Sequence, residues 1–218
     1  MNEPQLTRRP IKARETKWAA VIARWLARVG LRPNQISLFS VLFGALSGGC
    51  LVWTNGMSTQ SAALLFAAAA GFIQLRLLCN LFDGMVAVEG GFRTRSGEIY
   101  NELPDRFADA FILIGAGYSL RTPSMLSALG WAAAVAAVIT AYVRALGAAA
   151  GTAQHFIGPM AKQQRMAVMT VACVGTALCL LLGSTFTLIP IALLVVLLGC
   201  AITIWRRCVR IIRDLEKE

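Results

Sequence analysis

The chain has 218 residues, 57% of them hydrophobic, with a mean hydropathy of +0.63 and a net charge of +10. That apolar content excludes an ordinary soluble domain and points to a protein that crosses a membrane several times. The basic residues flank the apolar runs, as lysines and arginines do beside anionic headgroups, which argues against a nucleic-acid partner. With most of the length consumed by spans, residues 1–218 read as one membrane-embedded domain, with 1–33 a cytoplasmic or interfacial N-terminal segment. Any chemistry must lie within the helix bundle or at its edge.

Residues 1–13 are basic and lack an apolar core of signal-peptide length. From Arg14 to Val29, Trp18, Val21, Ile22, Trp25, Leu26 and Val29 recur at helical spacing between Lys17, Arg24 and Arg28, predicting an amphipathic helix in the headgroup region. Gly30-Leu31-Arg32-Pro33-Asn34 breaks it, with Asn34 the expected N-cap of the next helix. A first span is predicted over 36–53, with Gly44 and Gly48 spaced for close helix approach. The second is expected over 61–87, followed by a polar loop, and the third over 98–120. The fourth, rich in alanine, covers 125–148. A loop carrying His155 separates it from the fifth (166–182) and sixth (188–205), and a basic extension follows.

The architecture expected is therefore all-α: six transmembrane helices preceded by an amphipathic interfacial helix. Basic residues collect at one set of span ends, which predicts both termini on the cytoplasmic side of what is taken to be a bacterial inner membrane. Six cysteines without a Cys-x-x-Cys spacing, and a single histidine, fit neither a disulfide framework nor a zinc site. The cysteines read as small apolar packing residues, and His155 as a solvated loop residue.

One stretch breaks the apolar pattern. Arg76, Asn80 and Asp83 fall at i, i+4 and i+7 on the second span, and Asn101, Asp105 and Asp109 at successive i+4 steps on the third. A charge at mid-bilayer costs roughly 2.5–3.5 kcal/mol, so these groups need a partner. An ion pair between Arg76 and one aspartate would hold two helices together, but one arginine cannot satisfy three carboxylates. Carboxylate and amide oxygens without histidine or thiolate favour Mg²⁺, Mn²⁺ or Ca²⁺ over zinc or copper, and paired cations held this way commonly stabilise displacement at phosphorus. Gly84 and Gly97 would let a phosphate approach the backbone. Arg144, Lys162 and Arg165, at the same membrane face, would hold a second anionic group or simply mark topology.

The segment resembles the signature of the CDP-alcohol phosphatidyltransferases, D-x-x-D-G-x-x-A-R-x8-G-x-x-x-D-x-x-x-D. Here it stands as Asn80, Asp83, Gly84, Ala87, Val88, eight residues, Gly97, Asn101 and Asp105, with every spacing kept. Leu31-Arg32-Pro33-Asn34 and Tyr142-Val143-Arg144-Ala145 are similar to other family segments. The resemblance implies metal ligands at Asn80, Asp83, Asn101 and Asp105, holding one or two ions, with Asp105 also the general base. Asn34, Gly84, Ala87 and Gly97 would then line the donor site. The implied reaction is attack of a small polar alcohol on CDP-diacylglycerol or another CDP-alcohol, releasing CMP, in a homodimer among membrane lipids.

Two positions carry Asn where the family has Asp, and Val88 replaces Arg. Asp109, Glu98 or Glu102 could restore the lost charge, and Arg76 could serve for the missing arginine at the donor. The departures leave open an inactive relative that binds CDP-lipid, and the residue pattern alone also admits a small ion- or solute-binding membrane protein.

Overall fold

The computed structural model describes residues 16–91, 97–119 and 124–217, all helices and short connections. The helices are α1 (Lys17–Arg28), α2 (Pro33–Trp53), α3 (Thr59–Glu89), α4 (Gly97–Gly117), α5 (Ser124–Ala149), α6 (Lys162–Leu181) and α7 (Ile189–Leu215). All but α1 and α4 are long and apolar enough to cross a membrane. Helix α4 has the length but carries Glu102, Asp105, Arg106 and Asp109 in its early and middle turns. It nevertheless lies inside the bundle, with Ala108, Ile112, Leu113 and Ala116 fully buried. Apolar side chains such as Leu64, Val171 and Leu198 stand exposed on the outside, as a lipid solvent requires.

Helix α2 packs on α3 and α4, α3 on α6, α4 on α5, and α5 on α7. The α2–α4 contact rests on glycine. A β-carbon at Gly44 would stand 2.7 Å from Cα of Ala108, and one at Gly48 would stand 2.3 Å from the carbonyl oxygen of Phe111. Only hydrogen at both positions lets the two backbones meet this closely. The predicted close approach therefore has its partner, the charged helix, met at Ala108, Phe111 and Gly115 along and beyond its acidic turns.

The amphipathic helix forms, but it divides its apolar surface. Ala19 and Ala23 are buried in a cluster with Ile36, Leu81, Phe82, Met85 and Val86, and Trp18 meets Phe82 edge to face at 6.1 Å. Val21, Trp25 and Val29 remain exposed. The small residues dock the helix on α3, beside Asp83, and the large ones are left for the headgroup region.

Three element ends differ from the sequence expectation. Helix α2 begins at Pro33 with Arg32 as its cap residue, whose backbone N–H donates to Gln35 Oε1 at 2.9 Å. Asn34 is therefore inside the first turn, because proline at the first helical position has no N–H to lose. Helix α6 begins at Lys162, earlier than expected, since the charges in its first turn meet carboxylates within the bundle. The basic extension is continuous with α7, and Arg207 is buried, its guanidinium donating to the carbonyls of Thr140 and Ile157.

Candidate functional site

The polar groups of α3 and α4 meet in the bundle, and their partners come from α2, α5 and α6. Asp105 and Asp109 lie one turn apart on α4, and both are buried. Arg76 on α3 is completely buried between them, with Nη2 donating to Asp109 Oδ1 at 2.5 Å and to Asp105 Oδ1 at 3.3 Å. Arg165 closes on the other oxygen of Asp109, donating from Nη2 at 2.6 Å and from Nε at 3.2 Å. Its Nη1 reaches the carbonyl of Met160 at 3.0 Å. Lys162 forms an ion pair with Asp105 Oδ2.

The same pattern continues one turn earlier. Arg144 on α5 pairs with Glu102 at 2.5 Å, and Arg106 reaches the same carboxylate at 3.0 Å. The guanidinium of Arg144 also lies 5.1 Å from the Phe156 ring. Glu102, Asp105 and Asp109 thus form a ladder along α4, and each rung meets one of Arg144, Lys162 and Arg165. The three cations, read from the sequence as holders of a second anionic group or as topology marks, are each engaged by an acid of α4 and so neutralise the helix that brings carboxylates into the bundle. Removing one partner of the fully buried pairs at Asp109 costs about 3–5 kcal/mol, because the other charge is left uncompensated.

Asp83 on α3 is different. It is buried, and its hydrogen bonds come from the Ser37 hydroxyl at 2.9 Å and its neighbour's backbone N–H, that of Gly84. Among the described residues no cation pairs with it, although Lys162 and Asp105 are within electrostatic reach. Asn80, one turn earlier, donates Nδ2–H to the carbonyl of Arg76 at 3.2 Å, leaving Oδ1 as its outward atom.

The structure therefore brings together Arg76, Asn80, Asp83, Asp105, Asp109, Lys162 and Arg165, with Arg144 on the adjoining rung. Val88 is exposed, and Arg76 is turned to Asp105 and Asp109 on α4 rather than standing free beside Asp83. Its Nε and Nη1 have no hydrogen-bond partner among the described residues. Gly84 and Ala87 follow Asp83 on α3, Gly97 opens α4, and Asn34 is partly exposed in the first turn of α2. The side chains of Asn101 and Glu98 lie outside the described residues.

Sequence reasoning missed Ser37 and the pairing of His155. Ser37 lies one helical turn after the Arg32-Pro33-Asn34 lead-in, and its only signal was a hydroxyl in an apolar run. His155 is largely covered rather than fully solvated, with Nε2 2.8 Å from Asp214 Oδ2 on α7, an ion pair when the imidazole is protonated.

Among the described residues no three His, Cys, Asp or Glu side chains converge as a ligand set. Among the described residues the donors suit one hard cation: Asp83, which has no paired cation, the Asn80 amide oxygen, and Asp105 Oδ2, which the ion would share with Lys162. Magnesium needs no more, since it is commonly held by one or two carboxylates with substrate phosphate completing the shell. A pair of ions does not fit these donors. Asp109 is saturated by two arginines, Asp105 carries Arg76 and Lys162, and Asn80 brings no charge.

The sequence matches no protein-family profile and none of the curated proteins. In three dimensions the chain is similar to phosphatidylinositol phosphate synthase of Mycobacterium tuberculosis. A crystal structure of that protein with CDP-diacylglycerol bound aligns with a TM-score of 0.69 at 19% identity, covering 90% of this chain and 94% of the other. A second, in complex with manganese and citrate, aligns with a TM-score of 0.71 at 19% identity, covering 88% of each chain. Identity this low establishes a shared polytopic helical fold over nearly the whole length, and the functional argument passes to the residues.

Proposed function

We propose that this chain is a membrane-embedded CDP-alcohol phosphatidyltransferase of phospholipid biosynthesis, transferring a phosphatidyl group from CDP-diacylglycerol or another CDP-alcohol to a polar alcohol, with release of CMP. The observation that supports the reading is that Asp83 and Asp105, both buried and on two helices, lie within electrostatic reach of one another and of Lys162, at the spacing of the family signature. The likeness in fold to a synthase crystallised with CDP-diacylglycerol, and with manganese, supports it.

In this reading Asn80, Asp83 and Asp105, with Asn101 at the fourth signature position, hold Mg²⁺ or Mn²⁺. When bound, the cation supplies charge neutralisation at the donor's pyrophosphate. The chain's own residues do the rest. Ser37 fixes the Asp83 carboxylate by its hydrogen bond. Gly84, Ala87 and Gly97, which carry little or no side chain, leave room for the CMP moiety beside the backbone, and Asn34 lies on the donor side. Asp105 Oδ2 accepts the acceptor's hydroxyl proton; its partner Lys162 is 25% exposed, whereas Arg76 on Oδ1 is fully buried. The acceptor oxygen bonds to the β-phosphorus, the bond from that phosphorus to the oxygen bridging to CMP breaks, and CMP leaves with that oxygen. Asp109, Arg76 and Arg165 hold α3, α4 and α6 in register.

The same reading takes the chain as one domain, assembled as a homodimer in a bacterial inner membrane with both termini cytoplasmic. Purified protein is expected to release CMP from CDP-diacylglycerol only with a divalent cation and a suitable acceptor from a panel of polar alcohols, phosphorylated and not. No CMP with any acceptor at high Mg²⁺ or Mn²⁺ would count against it. A second reading, a relative that binds CDP-lipid without turnover, is favoured by one observation: the α4 acids already carry protein cations. CMP binding without product identifies it.

A further inference from the structure

Lys162 stands where a cation would be drawn. Its ammonium pairs with Asp105 Oδ2, and Asp83, Glu102 and Asp109 are all within electrostatic reach of it. Of the four cations that pair with Asp105 or Asp109 it is the most open, 25% exposed against 19% for Arg106, 2% for Arg165 and 0% for Arg76, and Arg106 stands off at 3.9 Å. It is therefore the cation in close contact with Asp105 that a substrate anion would reach first. Two further facts bear on it. Asn stands at 80 and 101 where the resembling signature has aspartate, so the site has lost two negative charges. Arg76 and Arg165 also take up both oxygens of Asp109, which removes the nearest carboxylate that could replace them.

We infer that Lys162 is a built-in cation taking the place of a second divalent ion, so that the site works with one metal and one ammonium. An ammonium is a compact point charge on a flexible stem, suited to sit against Asp105 and turn to a phosphate oxygen as substrate enters. The two asparagines follow from the same arrangement. With one ion of charge +2 and one of +1 in place of two of +2, fewer carboxylates are required, and full aspartates would leave the pocket over-negative. Conversely, a second divalent ion beside Asp105 would meet the lysine at close range and be repelled.

This inference rests on the transferase reading only for the anion that the two cations would face. Its test is a count of metal ions, read by electron paramagnetic resonance titration with Mn²⁺ alone as the probe, with CMP release measured separately. The wild-type chain is expected to bind one Mn²⁺. Asn80→Asp/Asn101→Asp, with Lys162 kept, is expected to bind one more tightly, and the same pair with Lys162→Gln to bind two. Two Mn²⁺ on the wild type, none at all, or two on the double variant that keeps Lys162 would each overturn the assignment. The wild-type count needs no substitution, so it decides even where a variant fails to fold. One Mn²⁺ without CMP release from any CDP-alcohol would support Lys162 and sink the transferase reading. CMP release with two Mn²⁺ would do the reverse.

Discussion

The two acidic helices treat their carboxylates in opposite ways. On α4, Asp105 and Asp109 are met by Arg76, Lys162 and Arg165, and Glu102 by Arg144 and Arg106. On α3, Asp83 is equally buried but is held by a serine hydroxyl and a backbone N–H. A buried carboxylate with only neutral donors is costly to keep charged. The contrast separates charge that builds the bundle from charge held ready for a ligand, and it is sharpest between Asp109 and Asp83.

That contrast can be broken by substitution, and the largest effect belongs to the structural side. Asp109→Ala should destabilise the folded protein by about 3–5 kcal/mol, since it strands Arg76 and Arg165 in the interior. Denaturation in detergent would measure it, and Asp109→Leu combined with Arg165→Met should cost less than Asp109→Ala. If Asp109→Ala proves neutral, the ladder does not hold the helices. Asp83→Asn should do the opposite, leaving stability unchanged or raised while CMP release falls at least about a hundredfold. Equal loss of stability in both variants would erase the distinction.

Smaller effects sharpen the geometry. Gly48→Ala places a β-carbon against the Phe111 carbonyl, so α4 must move off α2, at about 1–3 kcal/mol. A stability measurement reads that cost, and activity should fall with it because α4 carries Asp105. Ser37→Ala removes one hydrogen bond to a charged group, worth about 1.5–3 kcal/mol where charge is retained. Its expected signature is weaker Mn²⁺ binding with a loss of stability no larger than that one hydrogen bond, well below that of Asp109→Ala, because Asp83 loses orientation rather than a counter-charge.

Much of the scaffold was legible in the residues. Apolar run length marks the spans, the Trp-rich periodicity marks α1, and the 44/48 glycine pair anticipates close approach. The same i+4 arithmetic puts Asn80 with Asp83, and Asp105 with Asp109. What could not be read was which charge meets which. Arg144, Lys162 and Arg165 are far from α4 in sequence, and basic residues near span ends look alike whether they mark topology or enter the bundle. Only the packing of α5 and α6 against their neighbours makes them partners of Glu102, Asp105 and Asp109. Arg76 was read both as an inter-helix ion pair and as a donor-site cation, and spacing could not choose: it gives a residue's face, while a long side chain can reach across to the next helix, as it does to Asp105 and Asp109. Ser37 was invisible because a lone hydroxyl in an apolar run usually bonds its own helix.

The central claim is that Asp83 and Asp105, on different helices, grip the same cation. Anomalous diffraction from crystals grown with Mn²⁺ and CDP-diacylglycerol tests it most directly. One manganese peak bridging the two carboxylates, with Lys162 beside it, is the predicted result. A peak on Asp109, or none between Asp83 and Asp105, would contradict it.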